Sequence, residues 1–375
     1  MNHFLPRSPS PVARSGAGSL VRYNRLRAAM ERIELARTVA PNMQISVAMA
    51  TYNGARHLLE QLDSIARQTL LPLELVITDD GSTDATLQIA EEFARTALFP
   101  VKVIRNESRL GYANNFIKAA SLCAGDLIAF CDQDDIWMEQ KLSVCSSFFT
   151  DPDVLMATHS AYLLLPNGER GHRHPDFAKT RILKTGSADP FKFTYGFAQI
   201  FRGVLLDIAS YDCRPARVQA HDQWFWFLAC SAGKIALIED ALVLYRQHAS
   251  NAFGAPRRLT FAQRLRRTTG IIDYDHTADS ELQCSHILAD TAGRFPEFAG
   301  DLKESAAKLE FRSKLHRLRT KIYRNSNHFL LRAGIFTHIL FAGGYFPDSS
   351  GTRLGPYHAM KDLFLGVTGI YRMLT

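Results

Sequence analysis

The sequence predicts an α/β fold, a mostly parallel sheet flanked by helices, with a helical C-terminal extension. Three observations carry this expectation. From residue 43 to 255, short apolar runs alternate with amphipathic stretches. Carboxylate-rich loops follow directly after apolar runs, on the edge where open α/β sheets bind ligands. From 256 to 375 no comparable strand pattern recurs, and the chain reads as helical and basic. The predicted organisation is a basic N-terminal extension (1–42), a catalytic-sized α/β domain (43–255) and a helical basic C-terminal region (256–375).

The elements follow in order. Within the Arg/Pro/Ser/Gly-rich head, one helix is predicted near 23–38, ended by Ala40-Pro41-Asn42. A strand at 44–50 exits through Thr51-Tyr52-Asn53-Gly54. Helical periodicity then runs over 55–68 through Leu58, Leu59, Leu62 and Ile65. Pro72 restarts the chain, and a second strand at 73–78 ends at Asp79-Asp80-Gly81-Ser82-Thr83-Asp84, where Thr83 or Asp84 suits the cap of a helix reaching 95. A third strand (101–105), a helix (112–123) and a fourth strand (126–131) lead into Asp132-Gln133-Asp134-Asp135. A helix is expected over 136–148. Strands separated by helices imply parallel pairing through right-handed crossovers.

Composition narrows the class. The chain has 375 residues, 46% hydrophobic and 22% charged, which are globular values and exclude a wholly disordered or fibrous protein. The net charge of +7 is uneven, since residues 1–40 hold seven arginines against Glu31 and Glu34. Six cysteines without a CxxC pair exclude a zinc ribbon or disulfide framework and suit buried thiols in a reducing compartment. There is no secretory apolar region and no run of ~18 apolar residues. The expected placement is cytoplasmic, in solution or touching the inner face of the plasma membrane peripherally. A Gly-rich phosphate loop, a GxSxG elbow and an HExxH helix are all absent from the sequence.

Asp132, Asp134 and Asp135 carry the strongest chemical signal. Three carboxylates within four residues at a strand end repel one another unless a cation neutralises them. Mg²⁺ or Mn²⁺ bound to a substrate diphosphate would do so. The plainer reading is a solvated turn, with Asp135 capping the next helix. Asp79 and Asp80 are either part of a turn or partners for a base N–H and ribose hydroxyls. Asp222, in His221-Asp222-Gln223-Trp224, is either a helix-start aspartate favoured by the helix dipole or a general base. Arg246 and His248, after a strand at 235–244, suit diphosphate oxygens or simply the surface.

Taken together, these motifs resemble glycosyltransferase family 2. The resemblance rests on Ser46 to Gly54, Gln61-Leu62-Asp63-Ser64-Ile65, Gln68-Thr69, Asp79 to Asp84, Asn106 with Gly111, and Asp132 to Asp135. His221-Asp222 and Tyr245-Arg246-Gln247-His248 resemble its bacterial rhamnosyltransferase-like members, and the ordered set covers roughly 44–251. The resemblance implies a GT-A fold, a nucleotide-diphospho-sugar donor and inversion at the anomeric carbon. It places Thr51, Tyr52 and Asp80 at the nucleotide, with Asp80 on the base, and Asn53 and Asp79 beside them are further candidate nucleotide-binding residues. It makes Asp132, Asp134 and Asp135 the metal site, and Asp222 the base, although His221 replaces the usual Glu before it. The Gln-x-x-Arg-Trp motif of processive synthases is missing, which implies transfer of a single sugar, possible donors including rhamnose, onto a surface-polysaccharide or lipid-linked glycan acceptor.

Two rivals remain at this level: a sugar nucleotidyltransferase, and a non-enzymatic basic binding protein, although no nucleic-acid-reading motif is present. The last expectation concerns 310–324, where Leu315, Leu318 and Ile322 form one apolar stripe flanked by Arg and Lys. That stripe either packs on the protein or makes peripheral membrane contact.

Overall fold

The computed structural model describes residues 43–191, 195–209, 214–215, 218–247, 274–324, 327–346 and 354–369. The helix expected at 23–38 and residue His248 lie outside these. Four strands, β1 (Ile45–Thr51), β2 (Glu74–Asp79), β3 (Val101–Arg105) and β4 (Leu127–Cys131), pair in parallel with β1 between β2 and β4. Helices α1 (Ala55–Ala66), α2 (Thr86–Thr96) and α3 (Tyr112–Ser121) connect them. All five residues of β4, Leu-Ile-Ala-Phe-Cys, are buried, as a central parallel strand covered on both faces requires.

The pleat divides the apolar residues between two layers. Val47, Met49, Leu127, Ala129 and Cys131 pack with Leu58, Leu62 and Ile65 of α1 and Phe93 of α2. Ala48, Ile128 and Phe130 point the other way, onto Phe116, Ala119 and Ala120 of α3. Successive residues face opposite sides of a strand, so one run of sequence builds both layers. Because α1 and α2 cover one face and α3 the other, the chain reverses its winding between β1 and β4. Open α/β sheets bind ligands at such a switch point, outside the carboxyl ends of the strands.

Beyond β4 the structure departs from expectation. No helix spans 136–148. Ile136 and Trp137 instead form β5, antiparallel to Leu244 and Val243 of β10 (Lys234–Arg246), and helix resumes only as α4 (Lys141–Ser146). Pairing with a long buried strand overrides the local helical pattern. Strands β6 (Val154–Leu164), β7 (Arg170–Arg173), β8 (Arg181–Leu183) and β9 (Gln199–Arg202) complete the sheet in the order β3-β2-β1-β4-β9-β6-β10-β5, with β7 on β6 and β8 on β10. β9 runs antiparallel to both β4 and β6. After α5 (Val204–Ala209), α6 (His221–Ala232) lies buried against the sheet through Trp224, Phe225 and Phe227.

The described C-terminal residues are helical: α7 (Tyr274–Arg294), α8 (Ala299–Tyr323), α9 (Phe329–Phe341) and α10 (Gly355–Lys361), the last running into a wider turn over Asp362–Val367. The first half of α8 joins the α6 layer through Leu302, Ala306 and Leu309. Its second half forms a separate core, in which Leu315 and Ile322 pack with Ile339, Tyr345 and Val367, and Leu318 is partly buried against them. The apolar stripe of 315, 318 and 322 is therefore covered by the chain's own helices, and peripheral membrane contact through it is ruled out by that packing. Beside it, Arg319 and Asp362, both fully buried, meet at 2.6 and 2.9 Å. Tyr323 and Tyr345 donate to the same carboxylate at 2.9 and 2.7 Å.

Candidate active site

The carboxyl ends of β1, β2 and β4 and the start of α6 enclose a cleft of about 690 Å³. Thr51, Tyr52, Asp80, Asp132, Asp134 and Asp222 line it, so six residues singled out in the sequence converge. The aspartates among them are spread over 143 positions of sequence, from Asp80 to Asp222, and only the sheet topology brings them together.

The first wall is a polar network at the strand ends. Asp80 accepts hydrogen bonds from Asn106 Nδ2 at 3.1 Å and from the backbone N–H groups of Leu110 and Gly111 at 2.6 and 2.9 Å. Asn115 Nδ2 donates to the carbonyls of Thr78 and Thr51, and its Oδ1 accepts from Asn106. These bonds tie the loop before α3 to the ends of β1 and β2. The loop carries Arg109, whose guanidinium lies 4.2 Å from the ring centroid of Tyr52.

Asp79 and Asn53 are placed differently from the nucleotide-binding role expected of them. Neither lines the cleft. Asp79 accepts from Thr51 Oγ1, from the N–H groups of Gly81 and Ser82, and from Ser82 Oγ, so all its capacity goes to the loop beneath. Asn53, with φ of 48°, donates its N–H to Ser82 Oγ and accepts from Thr83 N–H. The N-cap of α2 is Ala85 rather than the expected Thr83 or Asp84; Asp84, one residue earlier, accepts from Thr86 N–H at the head of α2 and from Ala55 N–H at the head of α1.

The acidic loop after β4 splits in two. Asp132 and Asp134 line the cleft, while Asp135 is fully buried behind it. Asp135 Oδ1 accepts the backbone N–H of Arg246 at 2.9 Å, and the Arg246 side chain donates to Asp134 O at 2.7 Å and reaches the carboxylate of Glu60. Neither Asp135 nor Arg246 is therefore on the cleft wall. Together they clamp the acidic loop from behind, and Asp135 is no cap, because no helix follows it. Gln133 fastens the same loop from the other side: its Oε1 accepts from Tyr52 N–H at 3.0 Å and its Nε2 donates to Tyr52 O at 3.1 Å. Gly54 leaves room for that amide, since a Cβ there would lie 2.2 Å from Gln133 Oε1.

The electrostatics follow from crowding. Burial, then the neighbouring charges of Asp134 and Asp222, push the Asp132 carboxyl up to about 8. Burial likewise drives Asp135 well up. The nearby cation is Lys141, fully buried at the start of α4. Its Nζ donates to Phe197 O at 2.7 Å and lies 3.3 Å from the Trp137 ring centroid. Burial lowers it to about 8. Among the described residues, the cleft wall carries four carboxylates (Asp80, Asp132, Asp134, Asp222) against one guanidinium, that of Arg109.

Asp222 occupies the first turn of α6, opposite these loops. Its Oδ1 accepts from Gln223 N–H at 2.8 Å, Gly196 N–H also bonds the carboxylate, and burial raises its carboxyl to about 6. His221 beside it is buried among aromatics, stacked on Phe116 at 4.0 Å and edge-on to Phe130 at 4.8 Å. Burial lowers it to about 3, so it is a neutral packing residue that fixes the start of α6. Tyr195, Phe197 and Tyr245 form an aromatic end wall, with ring centroids 4.6–5.6 Å apart.

A fold of this kind with a nucleotide-sized acidic cleft at its switch point defines a class, and sequence comparison agrees. Residues 46–223 match the family model of glycosyl transferase family 2. With the β1–β4 sheet covered on both faces, the fold is GT-A-like. An uncharacterized glycosyltransferase of Nostoc is 29% identical over 61% of this chain and 72% of its own length. The dTDP-rhamnosyl transferase RfbG of Shigella flexneri is 28% identical over 58% of this chain and 77% of its own. Several further relatives are matched over only 59% of their own length. The crystal structure of Staphylococcus aureus TarS 1–349 in complex with UDP-GlcNAc aligns over 89% of this chain and 93% of that one, at a TM-score of 0.49 and 16% identity. No described helix is long and apolar enough to cross a membrane.

Proposed function

We propose that the chain moves one sugar from a nucleotide-diphospho-sugar onto a hydroxyl of a surface-polysaccharide or lipid-linked glycan, with inversion at the anomeric carbon. The observation that carries this reading is the gathering of Asp80, Asp132, Asp134 and Asp222 around one cleft at the sheet's switch point. Rhamnose is the proposed sugar, supported by the similarity to the rhamnosyl transferase of Shigella.

Thr51, Tyr52 and Asp80 hold the nucleotide, with Arg109 completing that side. A diphosphate entering a wall of four carboxylates needs a cation, and the two oxygen-donor side chains of Asp132 and Asp134 fit Mg²⁺ or Mn²⁺. Among the described residues no cluster of three or more such ligands exists. Two carboxylates nonetheless suffice for ions that keep several waters and bind through substrate phosphates. Such an ion, when bound, supplies positive charge against the phosphate leaving group. Asp135 and Arg246 position Asp132 and Asp134 from behind the cleft wall, and Gln133, on the wall, ties the same loop to Tyr52. Asp222, ionised and facing the cleft from the far side, takes the proton from the acceptor hydroxyl as it attacks. The aromatic wall of Tyr195, Phe197 and Tyr245 gives a sugar ring an apolar face to rest on.

The test is a thermal-shift panel of nucleotide-sugars with Mn²⁺, run on the wild type and Asp134→Ala. The reading expects one donor to raise the melting temperature by mass action, only with the ion, and only in the wild type. Equal stabilisation of both proteins in EDTA would overturn the metal assignment.

A further inference from the structure

The outer surface of the C-terminal helices is apolar where a solvated surface would be polar. Among the described residues eighteen large apolar side chains stand exposed, and nine of them fall in the two short segments 327–346 and 354–369. On α9, Leu330 is 74% and Phe341 85% exposed, and on α10 and the turn after it Tyr357, Met360 and Phe364 are 54–60% exposed. Scattered exposed apolar residues are ordinary, but a concentration of this kind marks a contact surface. It is distinct from the covered stripe of α8. Each helix turns its other side inward, Ile339 of α9 and Val367 beyond α10 lying in one core with Leu315 and Ile322.

Charge distribution identifies the occupant. In these two segments no acidic side chain is exposed, because the one acid present, Asp362, is fully buried against Arg319. Lys321 and Arg324, exposed at the C-terminal end of α8, lead directly into α9. An apolar, aromatic-rich face with basic flanks and no exposed acid among its described residues matches the headgroup boundary of an anionic bilayer. A second copy of the chain fits less well, since a two-fold contact buries the same patch twice and brings the basic flanks of both copies towards one another. At 13 residues α9 is too short to span hydrocarbon, so it would lie flat.

We infer that α9 and α10 form a docking face for an anionic membrane surface, seated by Leu330, Phe341, Tyr357, Met360 and Phe364 and held by Lys321 and Arg324. This stands apart from the sugar-transfer reading, because vesicle binding is measured without donor or acceptor.

The experiment is flotation of the full chain with vesicles of phosphatidylglycerol and phosphatidylcholine in equal parts, beside vesicles of phosphatidylcholine alone. The wild type is expected to float with the mixed vesicles and to be released as salt is raised. Leu330→Glu with Phe341→Glu is expected to weaken binding by at least about tenfold, from lost apolar insertion. Lys321→Glu with Arg324→Glu is expected to weaken it by at least about tenfold for the anionic vesicles only. Should the first pair lower the melting temperature, Tyr357→Glu with Phe364→Glu supplies the same reading from the other helix. Failure of the wild type to float, undiminished flotation of folded variants, or a wild-type dimer that the apolar variants dissolve without any vesicle binding would each overturn the proposal.

Discussion

Replacing Asp222 by Asn removes the negative charge and the proton-accepting group while keeping one acceptor oxygen. The amide oxygen keeps the place of Oδ1, which accepts from Gln223 N–H at 2.8 Å, so α6 retains its first turn. What is lost is proton acceptance. General-base contributions of about 10²–10⁴-fold correspond to roughly 3–5 kcal/mol of barrier. As the proposed base, the same residue is expected to set the acid limb of the pH profile. Burial raises its carboxyl from the usual 3.8 to about 6, so the competent, ionised form dominates above pH 6 and is lost as pH falls through it. Between pH 7 and pH 5 the ionised fraction drops from about nine-tenths to about one-tenth, and kcat/KM measured on free enzyme falls with it. The assay is nucleoside-diphosphate release in the presence of acceptor, across pH 4.5–8, for wild type and Asp222→Asn, with donor affinity measured separately. The expected result is intact donor affinity, a loss of at least about a hundredfold in kcat and no acid limb near 6 in the variant. A loss under tenfold that leaves the acid limb unchanged would refute the assignment and return Asp222 to the role of a helix-start residue.

Other perturbations test the supporting structure. Gln133→Leu deletes both bonds to the Tyr52 backbone and should raise the donor KM about tenfold while leaving kcat within a few-fold, since two net hydrogen bonds contribute about 1–3 kcal/mol. An unchanged KM in steady-state kinetics would mean that the amide does not shape the nucleotide side. Arg319→Met strands the buried Asp362 and should lower unfolding stability by about 3–5 kcal/mol in urea titration. A loss below about 1 kcal/mol would show that Tyr323 and Tyr345 suffice to satisfy that carboxylate.

Strands β1 to β4 were legible because their apolar runs are short, continuous and closed by polar loops, and each matches within about two residues. Asp80, Asp132, Asp134 and Asp222 were legible as cleft residues for the same reason: each sits at an element boundary on the ligand edge. What sequence did not show is which of several adjacent polar residues turn inward. Asp79 and Asp80 are neighbours on one strand end, yet only Asp80 lines the cleft, while Asp79 bonds the loop beneath it. Asp134 and Asp135 divide in the same way because Arg246, more than a hundred positions away, reaches behind the loop. Arg109 and Tyr195 were not singled out, and Gln133 and Tyr245 stood inside quoted motifs with no role of their own. Gln133 alone carried a usable signal, an amide inside an acidic run. The false helix at 136–148 shows the limit of local periodicity: pairing of Trp137 with Val243 is a long-range fact.

The central claim is that this cleft breaks the bond between a sugar and a nucleoside diphosphate and gives the sugar to a hydroxyl. The most direct measurement is product identity from a single nucleotide-sugar with Mn²⁺ and a glycan acceptor, following released nucleotide by chromatography and the new glycosidic bond by NMR. The account predicts one equivalent of nucleoside diphosphate for each bond formed, an inverted anomeric configuration, and no product from Asp134→Ala. Pyrophosphate formed from a sugar-1-phosphate and a nucleoside triphosphate, with no diphosphate-linked transfer, would contradict it and make the cleft that of a nucleotidyltransferase.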